Sequence, residues 1–466
     1  MRNAFRLGPW PHPVQYLPAC PFSALPPATE GGLLVLQALA IKGGRPLHGS
    51  VDVPGSKNSA LSLLSAVILA EGETVLHNVP EIADTRAKAR LLQSFGAKVE
   101  WREGSLFIDP TELHAAQVDE EVARSIRTSF FLLGPLLARL GRVTLPAPGG
   151  CKIGARPVDY HLKGLSALGA EIEFRNGYFT ARAERLKGAD IYLDKPSPGA
   201  TQHLMTSAVL AEGVTTIDNA AMEPEVASLA AFLNAMGARV EGAGTPTVTI
   251  RGVDKLHGCR FRVPSDRMQA GTFLVGGAIT GGDVTVRNLL PGEQLPVVSK
   301  LREAGALVEE GHDWIRVAAP ERLRAVNVLT APFPGFPTDM QQPMTALLAL
   351  ARGVSTVEET VYESRIGHIQ ELNRMGANIM LQGGCVSIIQ GVERLQGAVV
   401  EASDLRAGAA LVVAGLAAEG ETTIRKIGHI DRGYEKLEAT LRSLGASIER
   451  IELGDSQSAV TSDPHL

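Results

Sequence analysis

Cysteine is scarce in this chain of 466 residues, which contains four. The cysteines lie far apart, and no CxxC pair or HExxH sequence accompanies them, so the sequence offers neither a disulfide framework nor a zinc site. Charge of one sign never accumulates in a long run, and the formal net charge is only −5. A nucleic-acid-binding surface is therefore not expected. We predict a reduced, cytoplasmic protein with no metal and no cofactor.

Aromatic residues and long apolar runs are also few. Aromatic side chains make up 5% of the chain, against 45% hydrophobic and 20% charged residues, a composition typical of globular proteins. The apolar run at residues 33–41 is too short to cross a bilayer, so we expect a buried first strand and no membrane partner. The 49 glycines and 28 prolines predict many tight turns between short elements.

A Gly-Ala pair followed by a short strand-like run recurs six times. Successive copies lie 68 to 73 residues apart. The copies are Gly96-Ala97, Gly169-Ala170, Gly237-Ala238, Gly305-Ala306, Gly376-Ala377 and Gly445-Ala446. A regular spacing of this size indicates a repeated structural unit.

Each repeat carries the signals of two helices and a hairpin. Ahead of Gly96, apolar residues follow Asp84 at helical spacing, which predicts a helix with Asp84 as N-cap and the glycine just past its C-terminus. Asn176-Gly177 joins two alternating runs and predicts a β-hairpin. The unit is therefore read as βαβαββ. The repeat alone is also compatible with a solenoid or propeller that has no chemistry.

The segment at residues 54–60 precedes an apolar helix. Its spacing is not that of a Walker A phosphate loop. It does place Lys57 and Asn58 at a helix N-terminus, where free N–H groups and the positive end of the helix dipole favour an anion. A solvated lysine beside a turn is the alternative interpretation.

Cys151 lies in a glycine-rich stretch with two nearby cations. Gly149 and Gly150 precede it, and Lys152 and Arg156 follow. Glycines expose the thiol and the cations favour the thiolate, so Cys151 is predicted to act as an acid, a covalent trap or both. The other three cysteines are read as small buried apolar residues.

Two further segments carry charged candidates. Asp339 lies in a proline-rich loop at residues 336–341, and Arg432 stands between an acid and a glycine at residues 429–434. A turn or helix cap is the alternative for Asp339, and a solvated ion pair is the alternative for Arg432.

Together these segments resemble the enolpyruvyl transferases over most of the chain. The matching segments are residues 55–58, 149–159, 194–201, 223–225, 336–341, 404–406 and 429–434. The resemblance implies an α/β fold, a two-lobed inside-out α/β barrel built from six βαβαββ repeats, with helices inside and substrates between the lobes. It places residues 37–56 with 267–450 in the lobe of the catalytic Asp and Arg residues, and 57–266 in the lobe of the Cys loop. A loose N-terminal extension (1–36) and a C-terminal tail (451–466) fall outside the pattern.

The resemblance also implies a reaction. The enolpyruvyl group of phosphoenolpyruvate passes to the 3′-hydroxyl of UDP-N-acetylglucosamine by addition and elimination through a tetrahedral ketal, with release of phosphate. This is the first committed step of peptidoglycan synthesis, which links it to cell wall formation, cell shape and cell division. In these terms Lys57 and Arg432 hold phosphoenolpyruvate, Cys151 protonates it or forms an adduct, Asp339 is the base and Asp404 helps to move protons at the ketal.

The remaining implied contacts concern the substrates. Asn58 touches the acceptor sugar, and Arg365 and Arg406 line the cleft. The expected uridine-nucleotide contacts are Arg127, Arg156, Pro157, Val158, Asp159, Tyr160, Lys195, Pro196, Ser197, Pro198 and Val361.

Five positions depart from the commonest family pattern: Pro198, Met222, Gln269, Ile366 and Gly367. These departures concern the acceptor, so an enzyme of the same fold that acts on another nucleotide or on shikimate 3-phosphate is an alternative. Cys151 argues against the shikimate enzyme, which lacks that cysteine. A repeat-built binding protein without catalysis is the alternative from another class, and the oligomeric state is left open.

Overall fold

A computed structural model describes residues 36–114, 120–148, 158–320 and 322–453. Three of the predicted site residues, Cys151, Arg156 and Pro157, lie outside the described residues, as does most of the N-terminal extension.

The strands are short and spread over the whole described chain. They are β1 (Leu36–Lys42), β2 (His48–Asp52), β3 (Ala70–Glu71), β4 (Thr74–His77), β5 (Lys98–Arg102), β6 (Ser105–Asp109), β7 (Arg142–Pro146), β8 (Glu171–Arg175), β9 (Tyr178–Arg182), β10 (Asp190–Tyr192), β11 (Val214–Asp218), β12 (Arg239–Glu241), β13 (Thr247–Arg251), β14 (Leu256–His257), β15 (Arg260–Arg262), β16 (Asp283–Arg287), β17 (Leu307–Glu310), β18 (Trp314–Ala318), β19 (Val328–Leu329), β20 (Val354–Glu358), β21 (Asn378–Gln382), β22 (Val386–Gln390), β23 (Val399–Glu401), β24 (Glu421–Arg425) and β25 (Ser447–Leu453).

The helices alternate with these strands. They are α1 (Lys57–Ala66), α2 (Ala83–Ser94), α3 (Glu120–Ser125), α4 (Leu133–Leu140), α5 (Asp159–Ala167), α6 (Pro198–Ala208), α7 (Pro224–Ala235), α8 (Arg267–Ile279), α9 (Leu295–Ala304), α10 (Thr338–Leu348), α11 (His368–Arg374), α12 (Leu405–Ala417), α13 (Gly428–Asp431) and α14 (Leu437–Ser443). Within the described ranges, no helix is both long enough and apolar enough to cross a membrane.

The strands of the described residues form six sheets of three or four strands and one two-stranded ribbon. The sheet β10-β11-β13-β12 shows the unit in full. Here α6 connects the parallel pair β10 and β11, and α7 then leads into the antiparallel pair β12 and β13. The predicted βαβαββ unit is confirmed.

Three of these sheets each include a strand that is distant in sequence from the other strands. β15 lies parallel to β4, β2 lies parallel to β16, and β1 pairs with both β24 and β25. The predicted buried first strand is confirmed, since Ala38 to Ile41 of β1 are buried. β1 begins at Leu36 and β25 continues to Leu453, so both strands run slightly past the expected limits of 37 and 450.

Residues 54–56 and residues 264–266 lie side by side, where the chain crosses between residues 57–266 and the rest of the described chain. Gly55 bridges Ser265, while Ser56 N donates to the Pro264 carbonyl at 2.7 Å and Asp266 N donates to the Pro54 carbonyl at 2.9 Å. A Cβ on Gly55 would lie 1.8 Å from the Asn78 carbonyl oxygen, so only glycine fits. This crossing brings the first residues of α1 and α8 together.

The described residues form two separate apolar cores. One draws its side chains from residues 60–263, and the other from residues 39–53 and 268–448. In the second core α8, α10 and α12 pack on one another, and every residue of α8 is buried. We propose that the two cores mark two lobes, residues 57–266 and residues 37–56 with 267–450.

The local turn predictions are confirmed at the repeats. The six repeat glycines all have positive φ, from 91° at Gly169 and Gly376 to 104° at Gly305, which a residue with a Cβ rarely adopts. Asn176 and Gly177 join β8 and β9 with φ values of 53° and 80°, as the hairpin requires. The cap prediction for Asp84 is wrong, because Ile82 is the N-cap of α2 and Asp84 lies in its first turn.

Candidate active site

Lys57 opens α1 at the crossing point of the chain. Ser56 is the N-cap, and its Oγ accepts a hydrogen bond from Ser59 N at 3.3 Å. The backbone N of Lys57 donates to Asp266 Oδ2 at 3.0 Å. Lys57 and Asn58 therefore stand in the first turn of a helix, as predicted, and Asp266 ties this turn to the start of α8.

Asp84 connects Lys57 to Arg432 across the two halves of the chain. Lys57 Nζ lies 2.9 Å from Asp84 Oδ2, while Arg432 Nε and Nη2 donate to Oδ1 and Oδ2 at 2.8 and 3.2 Å. Burial raises the pKa of Asp84, but the two cations outweigh it and hold the pKa below its ordinary value. The trio therefore carries one positive charge in excess, in a place where water is largely excluded.

Sequence reasoning missed the role of Asp84. The apolar residues that follow it at helical spacing indicated a helix cap and nothing more. Arg432 lies 348 residues away along the chain, so no local pattern signals this contact.

Asp339 is held between two arginines. It lies in the first turn of α10 and not in the proline-rich loop, because α10 already begins at Thr338. Arg365 Nη1 lies 2.8 Å from Oδ1, and Arg406 Nε and Nη2 each lie 3.0 Å from Oδ2. Burial raises the pKa of Asp339, yet Arg365 and Arg406 hold it well below its usual range, so the carboxylate is ionised.

Asp404 is the N-cap of α12. Its Oδ1 accepts from the backbone N of Arg406 and Ala407 at 2.9 and 3.1 Å. Its Oδ2 accepts from Gln342 Nε2 at 3.3 Å, and that same Nε2 lies 3.4 Å from His368 Nδ1. One carboxylate oxygen of Asp404 thus caps a helix, while the other faces a buried polar cluster.

His368 is fully buried beside Asp404. Burial lowers its pKa to about 4, so the imidazole is neutral at pH 7. Because Gln342 Nε2 donates to Nδ1, the imidazole proton lies on Nε2, which has no hydrogen-bond partner among the described residues.

Tyr434 and Asp266 lie between the residues around Asp339 and those around Asp84. Arg406 Nη1 donates to Tyr434 Oη at 3.2 Å, and Tyr434 is two residues from Arg432. Burial opposes the charge on Arg406, but Asp339, Tyr434 and Asp266 raise its pKa above the ordinary value. Asp266 also holds the backbone of Lys57. The structure therefore brings together six predicted residues: Lys57, Asp339, Arg365, Asp404, Arg406 and Arg432.

The described nucleotide candidates gather around the starts of α5 and α6. The backbone of Lys195 hydrogen-bonds the Tyr160 hydroxyl, which brings residues 158–160 next to residues 195–198. Tyr160 and Pro196 to Pro198 are half-buried, while Asp159 and Lys195 are exposed. Burial lowers the pKa of His161 well below its ordinary value, and the nearby charges of His203 and Arg127 add to this effect.

α2 connects the residues around Asp84 to the nucleotide candidates. Asp84 in its first turn holds Lys57 and Arg432, and Lys88 one turn later donates from Nζ to the Thr128 carbonyl at 2.6 Å. Thr128 adjoins Arg127. Lys88 is fully buried, and burial holds its pKa well below the ordinary value. Asn58, next to Lys57 in the first turn of α1, is exposed. The backbone N of Val361 donates to Glu359 Oε1 at 2.8 Å.

The chain is similar to known proteins over most of its length. The family model described as EPSP synthase (3-phosphoshikimate 1-carboxyvinyltransferase) matches residues 41–441. UDP-N-acetylglucosamine 1-carboxyvinyltransferase 3 of Caldanaerobacter subterraneus subsp. tengcongensis is 48% identical over 89% of this chain and 100% of its own. The protein of the same name from Symbiobacterium thermophilum is 51% identical over 90% of this chain and 99% of its own.

The fold is also that of a solved structure. The enolpyruvyl transferase NikO from Streptomyces tendae superposes with a TM-score of 0.81 at 25% identity, covering 90% of this chain and 100% of that one. The predicted enolpyruvyl transferase fold is confirmed. The chain belongs to the enolpyruvyl transferase family, and within it to the UDP-N-acetylglucosamine 1-carboxyvinyltransferases.

Proposed function

We propose that this protein transfers the enolpyruvyl group of phosphoenolpyruvate to the 3′-hydroxyl of UDP-N-acetylglucosamine, with release of phosphate. The relatives described above carry the name of this activity, at about half identity over nearly their whole length. Acceptors such as shikimate 3-phosphate and a non-catalytic binding role are not favoured. In this role the protein acts in the cytoplasm at the first committed step of peptidoglycan synthesis.

The observation that carries the proposal is the network of buried cations around two carboxylates. Lys57 and Arg432 share Asp84, and Arg365 and Arg406 share Asp339, so each group keeps one excess positive charge. Phosphoenolpyruvate brings a phosphate and a carboxylate, and cations in a poorly solvated site bind such groups strongly. We assign Lys57 and Arg432 to this substrate.

The remaining roles follow the chemistry of addition and elimination. Asp339 takes the proton of the 3′-hydroxyl as that oxygen attacks C2 of phosphoenolpyruvate, and C3 gains a proton from the Cys151 thiol. The ketal then loses a C3 proton and phosphate, with Asp404 assisting the proton movement. Cys151 can also bind phosphoenolpyruvate covalently, which the neighbouring cations in sequence support.

The ion pairs of Asp339 bear on its basicity. A carboxylate held by two arginines is a weak base, since its pKa lies well below the usual range. In this scheme Arg365 and Arg406 turn partly to the negative charge of the adding substrates during the attack, so Asp339 gains basicity as it takes the proton.

We assign the acceptor to Arg127, Val158 to Tyr160, Lys195 to Pro198 and Val361, with Arg156 and Pro157 in the stretch before α5. Asn58 contacts the sugar from the first turn of α1. The short link through α2 supports this assignment: Lys88 bonds the Thr128 carbonyl beside Arg127, one helical turn after Asp84, which holds Lys57.

Phosphate release with phosphoenolpyruvate and a panel of acceptors tests the proposal. We expect turnover with UDP-N-acetylglucosamine and none with UMP or shikimate 3-phosphate. Turnover with either of the latter, and none with UDP-N-acetylglucosamine, would refute the acceptor assignment.

A further inference from the structure

Glu359 is a buried carboxylate, 3% exposed, whose two oxygens both accept hydrogen bonds. Its Oε1 accepts from Thr330 Oγ1 at 3.0 Å and from the backbone N of Val361 and Tyr362 at 2.8 and 3.0 Å. Its Oε2 accepts from Thr338 Oγ1 at 2.8 Å. One side chain thus fixes the chain at Val361 and the start of α10.

The sheet topology explains this meeting point. β19 and β20 are parallel neighbours, with Leu329 opposite Glu358. Thr330 and Glu359 follow these two residues, so they leave the same edge of the sheet. Thr360 strengthens the junction, since its backbone N donates to Thr330 Oγ1 at 2.8 Å and its Oγ1 donates to the Thr330 carbonyl at 2.6 Å.

The contact between Glu359 and Thr338 continues to Asp339. Arg365 Nη1 donates to Thr338 Oγ1 at 2.8 Å and also lies 2.8 Å from Asp339 Oδ1. A guanidinium only donates, so the single hydroxyl hydrogen of Thr338 is left for Glu359. The negative charge of Glu359 therefore sets the direction of the Thr338 hydroxyl, and that hydroxyl holds Arg365 against Asp339.

We propose that Glu359 is a positioning residue that couples the acceptor contact at Val361 to the base Asp339, through Thr338 and Arg365. The inference rests on the proposed function, because that function makes Val361 an acceptor contact and Asp339 the base. Glu359 touches neither substrate in this scheme. It fixes two contacts that must be correctly placed at the same time for the acceptor hydroxyl to lose its proton.

Thr338 offers the sharpest test, because the hydroxyl can be removed without a change of volume. We expect Thr338→Val to lower kcat about tenfold while the KM for UDP-N-acetylglucosamine changes less than about threefold. Thr338→Ser keeps the hydroxyl and should retain kcat within about twofold. Thr422→Val is the matched control: Thr422 is buried in the same half of the chain, and its Oγ1 has no hydrogen-bond partner among the described residues.

Glu359→Gln tests the carboxylate itself. The glutamine oxygen can still accept from Val361 and Tyr362, but its amide nitrogen then faces Thr338 and leaves the hydroxyl hydrogen without an acceptor. We expect kcat to fall at least tenfold. Adding Thr338→Val should lower kcat less than about twofold further, because both changes break the same link.

The outcomes separate the inference from the proposed function. A wild-type protein with no turnover of UDP-N-acetylglucosamine overturns the proposed function. If the wild type is active, three results would overturn the inference. Thr338→Val could keep full kcat, or Thr338→Ser could lose as much kcat as Thr338→Val. The third is a loss of kcat in the double variant equal to the product of the two single losses. Should Glu359→Gln fail to fold in a thermal unfolding test, the two Thr338 variants decide alone.

Discussion

Replacement of Asp339 by asparagine is expected to lower kcat about a thousandfold, because it removes the base that takes the acceptor proton. The KM for phosphoenolpyruvate should change little, since Lys57, Asp84 and Arg432 stay in place. The loss should be the same from about pH 6 to pH 9, because the arginines hold the pKa of Asp339 well below this range. Steady-state phosphate release across this range measures both quantities.

Asp283→Asn is the control for Asp339→Asn. Asp283 also pairs with an arginine, Arg316, but both side chains are more than a third exposed, at 40% and 37%. An exposed pair of this kind contributes little. We expect Asp283→Asn to keep full activity. An Asp339→Asn enzyme with kcat within tenfold of wild type would contradict the role given to Asp339.

Asp84→Asn should lower kcat/KM for phosphoenolpyruvate about a hundredfold. Without the shared carboxylate, Lys57 and Arg432 repel each other and no longer point to one place. Asp84 is 6% exposed and its partners 13% and 15% exposed, so the change also leaves buried cations uncompensated. We expect the free energy of unfolding to fall by about 3 kcal/mol, a value typical of a broken buried pair. Denaturant unfolding and the phosphate-release assay measure the two effects.

Asp52→Asn provides the matched substitution for Asp84→Asn at an exposed pair. Asp52 contacts Arg287 at 3.1 Å, with the two side chains 66% and 51% exposed. Neither activity nor stability should change measurably. If the Asp84 and Asp52 variants have the same kcat/KM and the same free energy of unfolding, the contact of Asp84 with Lys57 and Arg432 has no function.

The sequence predicts those features that depend on neighbours in the chain. The repeat glycines end helices because only a residue without Cβ takes a positive φ readily. The glycine of each Gly-Ala pair therefore predicts a helix end from the sequence alone. The same holds for the hairpin at Asn176-Gly177 and for Lys57 at the start of α1. Local sterics and helix polarity determine all of these, so they are visible without the fold.

Features that depend on contacts between residues distant in sequence could not be predicted from the sequence patterns. Asp84 looks like an ordinary cap because its partner Arg432 comes from the other end of the chain. Glu359 follows a strand and carries no motif, and its role depends on the parallel pairing of β19 with β20. The strands β1, β2 and β15 join sheets far from them in sequence, which a repeat spacing cannot show.

The family resemblance supplied what residue patterns alone left open. Patterns placed Asp339 in a loop, whereas the structure puts it in the first turn of α10. The resemblance placed it beside a reaction that needs a base and several cations, and the structure surrounds it with Arg365 and Arg406. Physical chemistry then explains why a protein with net charge −5 gathers cations at this point: each pair is partly neutralised by one buried carboxylate.

The most direct test of the account is a double-mutant cycle of Lys57→Gln and Asp84→Asn, with kcat/KM for phosphoenolpyruvate as the measured quantity. Lys57→Gln alone leaves Arg432 neutralised by Asp84, whereas the double variant regains one excess positive charge. The account predicts that the double variant loses no more than Asp84→Asn alone. A loss equal to the product of the two single losses would contradict the claim that these residues, drawn from both halves of the chain, act as one site.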